Sequence, residues 1–487
     1  MVVCMYRRNK ILLVFSFISL LFILEVSSIA QPNIAPVLDS NKKLVYHILV
    51  SENGNSTINI LFNDTARGFF SIYLPKFQRP EMSVEEGKIV FIESNVTNYY
   101  FYNLTKIAYI PGDKGIFSLR ISYKFPYAAL MIGDKAHFIS PLIGASNDVN
   151  VIVKVYLPKF RRIERAEPVS YSVKRGVVTF YLKETATGTR VTLVYTLTEK
   201  VEEIVMEKRI NDTVISAKAP LYYRRFTSKV IDTFEKAAPY FKHIFGELAR
   251  NVEFKFFLPE EAGALGYVIG ETVNVKGEGP IYLNILLIRF APGYLETTVI
   301  HEYVHIALGK IGVKARPNTG ELIWFHEAMA QYISLKVSEL IGADVSLIVE
   351  DLEKALKELN PPFFFLKDWC NAGKGAIGEC YAAAYYVISY IADKRGGLEF
   401  VRKLVETIKR RGGIESDEDV IKAFNEAAGE DLSNVFKRLG IYPSLPFKTY
   451  KALPYLTIIV LGLLLTVTFY IIFKSRLELS IIKFTLI

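Results

Sequence analysis

Cysteine, histidine, tryptophan and glutamine are all scarce in this 487-residue chain. It has three cysteines, six histidines, two tryptophans and three glutamines, Gln31, Gln78 and Gln331. Three cysteines are too few for a disulfide framework. Cys4 falls in the N-terminal apolar segment, which leaves Cys370 and Cys380 as an even pair. Nine residues between them allow a disulfide, with two unrelated thiols as the alternative. So little glutamine beside abundant Lys, Glu, Arg, Ile and Tyr is a bias of heat-adapted proteins. No nucleic-acid motif is present. The net charge of +9 is spread over probable solvated faces such as Arg224, Arg225, Lys229, Lys236 and Lys242, so nucleic acid is not an expected partner.

Against this scarcity of histidine, residues 300–306 read Ile-His-Glu-Tyr-Val-His-Ile. On a helix, His301 and His305 project from one face a turn apart, close enough to share one metal ion, with Glu302 beside them. Two neutral imidazoles suit Zn²⁺ with a third protein ligand and an open position for water, and a neighbouring carboxylate can take that water's proton. By chance a His-Glu-x-x-His should occur in about one chain in two hundred of this composition, so coincidence is a minor explanation. The remaining alternative is a helix whose histidines only pack.

Downstream, residues 324–330 read Trp-Phe-His-Glu-Ala-Met-Ala, with 21 residues between His305 and Glu327. Together the two stretches resemble the zinc site of the gluzincin metallopeptidases, the thermolysin-like clan that includes the alanyl aminopeptidase and leukotriene hydrolase family. There the third ligand is the Glu of a Trp-x-x-Glu-Gly-x-Ala pattern, which this chain matches except for Ala328 in place of Gly. The resemblance implies that His301, His305 and Glu327 hold Zn²⁺ and that Glu302 is the general base. It also points to Tyr381, in Cys-Tyr-Ala-Ala-Ala-Tyr-Tyr from residue 380, as the oxyanion donor at the start of a helix, with Tyr385 as runner-up. The family's neighbouring Lys-Gly is absent. So is the Gly-x-Met-Glu-Asn segment that grips a free N-terminus, for which Glu278 in Gly-Glu-Gly-Pro is a weak substitute. The substrate class implied is peptide or protein, with endo or exo preference open. His326 is expected on the helix's polar side.

The chain is long enough for two or three domains. Residues 1–30, with Arg7, Arg8 and Lys10 before an apolar run and Ser-Ile-Ala at the end, read as a signal peptide or an uncleaved anchor. Residues 452–473 carry no charge and would rise about 33 Å as a helix, enough to span a membrane, followed by a cytoplasmic tail at 474–487. The catalytic part is then extracytoplasmic in a single-pass membrane protein. Asn-x-Ser/Thr at Asn55, Asn63, Asn95, Asn103 and Asn211 marks possible glycosylation in an exported chain.

From about 31 to 200 the texture is β, with runs rich in Val, Ile, Tyr, Phe and Thr between turn residues. Tyr-Leu-Pro-Lys-Phe at 73–77 returns at 156–160, as two similar β modules, as two halves of one sandwich, or as a shared strand-end turn. Residues 201–218, rich in Glu and Lys, read as a linker. The peptidase domain is expected at 219–446, with strand-like pieces up to about residue 288 and helices thereafter. The expected architecture is therefore multidomain: an all-β sandwich-like N-terminal region, an α+β thermolysin-like zinc peptidase domain and a C-terminal transmembrane helix. The non-enzymatic alternative is a catalytically silent surface adhesion or scaffold protein on a retained peptidase fold.

Overall fold

The computed structural model describes residues 42–96, 101–183, 185–257, 266–268, 280–284, 292–315, 322–371 and 377–441. The expected signal peptide, the expected membrane span, its tail and Glu278 lie outside them. No described helix is long and apolar enough to cross a membrane.

The first part of the chain is β. Seven strands hydrogen-bond in the order Tyr171–Lys174, Val177–Leu182, Asn150–Tyr156, Lys43–Val50, Ser56–Asp64, Phe117–Phe125 and Glu81–Glu86. Ser56–Asp64 and Phe117–Phe125 alternate buried and more exposed residues at almost every position, the period-two pattern of sheets with one covered face. A four-stranded sheet (Phe160–Glu167, Thr192–Leu197, Lys135–Ile139, Ala129–Ile132) and a three-stranded one (Gly68–Pro75, Tyr102–Ile110, Lys88–Val96) share its apolar core. The two Tyr-Leu-Pro-Lys-Phe copies each end a strand, but one strand lies in the three-stranded sheet and the other in the seven-stranded sheet. Among the sequons, Asn211 sits exposed at a hairpin tip, whereas the side-chain oxygen of Asn103 is buried in a central strand with Thr105 beneath the surface.

Residues 201–218 are not a helical connector. Glu203–Ile210 and Thr213–Pro220 form an antiparallel hairpin, and the second strand runs parallel to Asn251–Phe256 in a five-stranded sheet with Pro280–Leu283 and Gly266–Val268. The reason is visible in the side chains: Thr213, Ile215, Ala217 and Ala219 are all buried at alternate positions. The charged residues that suggested a linker, Glu203, Glu207, Lys208 and Arg209, are exposed on the neighbouring strand.

Eight helices among the described residues complete this second unit: α1 (Arg224–Phe245), α2 (Tyr294–Lys310), α3 (Ile323–Leu340), α4 (Ser346–Glu358), α5 (Ile377–Ala392), α6 (Leu398–Arg410), α7 (Asp417–Ala428) and α8 (Ser433–Leu439). The sheet and most helices share one core. Ser416 caps α7: its hydroxyl accepts from the Asp419 amide, and the Asp419 carboxylate accepts from the Glu415 amide. The two units meet where the Tyr223 hydroxyl accepts a bond from the Met131 amide at 2.8 Å, and Leu130 and Ile139 join the helical core.

α2 and α3 differ from the outer helices in being buried almost all round: every α2 residue from Thr297 to Gly309 is buried. Such helices are central, and each fully buried Val, Ile or Leu contributes about 1.5–3 kcal/mol. Gly293 starts α2 at φ +75°, and a Cβ there would lie 2.0 Å from the Asp344 carbonyl oxygen. Only glycine accommodates both the conformation and the approach. The core thus holds α2 and α3 side by side as rigid supports.

Candidate active site

α2 carries His301, Glu302 and His305 on consecutive turns, and α3 brings Glu327 against them from the facing side. The His301 Nε2 lies 3.1 Å and the His305 Nε2 3.6 Å from the same Glu327 oxygen, Oε2. One ligand atom from each of the three residues lies within 4.8 Å of the others. All three side chains are buried, and His301 is the most open at 9% exposed.

This donor set fits Zn²⁺. Ligands about 2.0–2.2 Å from a tetrahedral ion stand about 3.4 Å from one another, and the two contacts to Oε2 bracket that figure. His305 supplies a second argument, because neither of its ring nitrogens has a hydrogen-bond partner although both are buried. Burying an unsatisfied polar group costs about 1–3 kcal/mol, and native structures rarely tolerate it without an ion or water.

The electrostatics favour the protonation states a metal requires. Burial pushes the His301 imidazole down from its ordinary value, towards the neutral form with a free lone pair. For Glu327 burial opposes the charge, but the two histidines outweigh it and hold the carboxyl well below the usual range. Its carboxylate is therefore available at neutral pH.

Tyr381, in the second turn of α5, reaches this group. Its ring centroid lies 6.4 Å from that of His301. Burial, with Glu327 and Glu302 nearby, pushes the phenol well above its ordinary value, so it remains a proton donor. Trp369 packs edge-on against the ring at 5.1 Å. Tyr385, one turn further on, faces Tyr332 at 6.2 Å. Of the two tyrosines, Tyr381 is the one brought to the histidines. Cys380 is buried and free; the side chain of Cys370 lies outside the described residues. Burial raises its thiol to about 11, which makes it an unreactive core residue.

No model of a known family matches this chain, and no curated protein matches it. Solved structures similar to it include two of a mutant M1 zinc metallopeptidase from Deinococcus radiodurans. One shows 11% identity over 83% of this chain and 94% of the other, with a TM-score of 0.34. The second, bound to a Tyr-Ser-Ala substrate, shows 12% identity over 84% and 95%, with a TM-score of 0.36. Scores this low fix neither family nor activity. What the site can do stands on its own residues.

Two of those residues have surroundings the sequence pattern did not announce. Trp324 does not line the metal-binding group; its indole Nε1 donates to the buried Asp417 carboxylate at 2.9 Å, tying the start of α3 to that of α7. Lys367 approaches the other Asp417 oxygen at 3.5 Å. His326 is not on a polar face. It is buried, its Nε2 donates to the Val313 carbonyl at 3.0 Å, and its ring lies 5.7 Å from that of His305. Burial pushes it down to about 4, so it is neutral. The residues around it at the start of α3, Trp324, Phe325, Ala328 and Met329, are apolar and buried, and that local composition was the available signal.

Proposed function

We propose that this chain is a zinc-dependent peptidase, with its site on the extracytoplasmic side of the membrane that holds its C-terminal anchor. The observation that carries the reading is the convergence of His301, His305 and Glu327 on one point, with Glu302 on the same helix and Tyr381 against His301. The membrane placement rests on the uncharged stretch 452–473 and the basic-then-apolar residues 1–30.

When bound, zinc would act as a Lewis acid on the scissile carbonyl and lower the pKa of its water to about 7. Glu302 takes a proton from the attacking water and returns it to the leaving amine nitrogen. The Tyr381 hydroxyl donates to the carbonyl oxygen as negative charge develops. The walls of α2 and α3 keep the three ligands dry and fixed.

The test is cleavage of a diverse peptide library by the purified chain, read by mass spectrometry, with chelator-treated and zinc-restored samples alongside. Cuts that vanish with chelator and return with zinc support the reading, and their positions separate endo from exo specificity. Stoichiometric zinc with no cut in any peptide would favour the silent scaffold. For Tyr381→Phe, which keeps the ring packed against Trp369, we expect kcat to fall about 10²-fold with zinc content unchanged. Undiminished kcat would reduce Tyr381 to a packing residue.

A further inference from the structure

The unsatisfied nitrogens of the site form a pair. His305 Nδ1 and His326 Nδ1 are both buried, and neither has a hydrogen-bond partner. They belong to neighbouring rings, 5.7 Å between centroids and 31° from parallel. Their chemistry is complementary. Because Nε2 of His326 is the donor to the Val313 carbonyl, a neutral His326 presents Nδ1 as a lone pair. His305 stands the other way round: if its Nε2 lone pair faces Glu327 Oε2 and a shared metal, its proton sits on Nδ1 and needs an acceptor.

We propose that His326 is a positioning residue for the metal site, its Nδ1 accepting the His305 Nδ1 proton through one buried water. The Val313 carbonyl fixes the tautomer of His326, His326 fixes that of His305, and His305 then offers Nε2 to the ion. This relay runs from the segment after α2, through α3, back to α2. It would satisfy both orphaned nitrogens at once, and it rests on the zinc-site reading above.

The test is zinc affinity, measured on the full-length chain in detergent by competition with a chromophoric chelator. Three variants are compared: His326→Phe, His326→Leu and His326→Asn. All three lose the bond to Val313. Only Asn places an acceptor, Oδ1, at the branch position that Nδ1 occupies in histidine. The expected result is that Phe and Leu weaken zinc binding about 10- to 100-fold, whereas Asn restores it to near wild type. A purely structural role would make all three variants alike, tracking their metal-free melting temperatures, and that outcome would overturn the relay. Wild-type affinity in Phe or Leu would do the same. A wild-type chain that binds no zinc would overturn the metal site itself, and the relay with it.

Discussion

Glu302→Gln is expected to retain zinc and fold while losing about 10²–10⁴-fold in kcat/KM, the range for removal of a general base. Glutamine has nearly the same shape, and Glu302 is 3% exposed on a helix buried almost all round, so an isosteric change is the clean one. The three ligand atoms are untouched. What disappears is the one group on α2, beside the ligands, that can accept a proton and release it again. Zinc content by atomic absorption and a thermal melt would be recorded with the kinetics. Full activity would remove Glu302 from the chemistry. Loss of zinc would mean that the carboxylate serves the metal site rather than the water.

Much of the site was legible because helix geometry is local. Four residues separate His301 from His305, and that spacing places both on one face whatever surrounds the helix. Glu327 was reachable only by resemblance, since nothing in the sequence states that α2 and α3 lie side by side. The packing of Tyr381 against His301 depends likewise on where α5 docks, and the choice between Tyr381 and Tyr385 is one helical turn. His326 was misplaced because a histidine on a helix suggests a wet face, whereas the first two turns of α3, Ile323 to Ala330, are buried throughout. The hairpin at 203–220 was misread because its outward charges were counted and its alternate buried residues were not. The cysteine pair is a different case. Spacing along the chain permits a bridge but says nothing of which way either side chain points, and Cys380 points into the core.

For Glu327→Gln the expected result is a large loss of zinc with little change in the metal-free protein. A four-ligand zinc site is worth about 10–16 kcal/mol, so one ligand carries roughly 3–4 kcal/mol, which is about 10²–10³ in affinity. Glutamine keeps an oxygen near both imidazoles but lacks the charge that neutralises the ion. Without metal, the neutral amide can still bond to His301 and no longer buries a charge, so the cost of the change is offset. The difference is therefore a zinc-dependent stability. Zinc at a thousand times its dissociation constant stabilises by about 4 kcal/mol, and the variant would lose about 3 kcal/mol or more of that. At about 2–4 °C per kcal/mol for a domain of 150–250 residues, the zinc-induced rise in Tm should shrink by about 6–12 °C. Melts of both proteins with zinc and with chelator measure it. An equal rise in both would put the metal elsewhere in the molecule, and an equal fall without zinc would make Glu327 a structural carboxylate rather than a ligand.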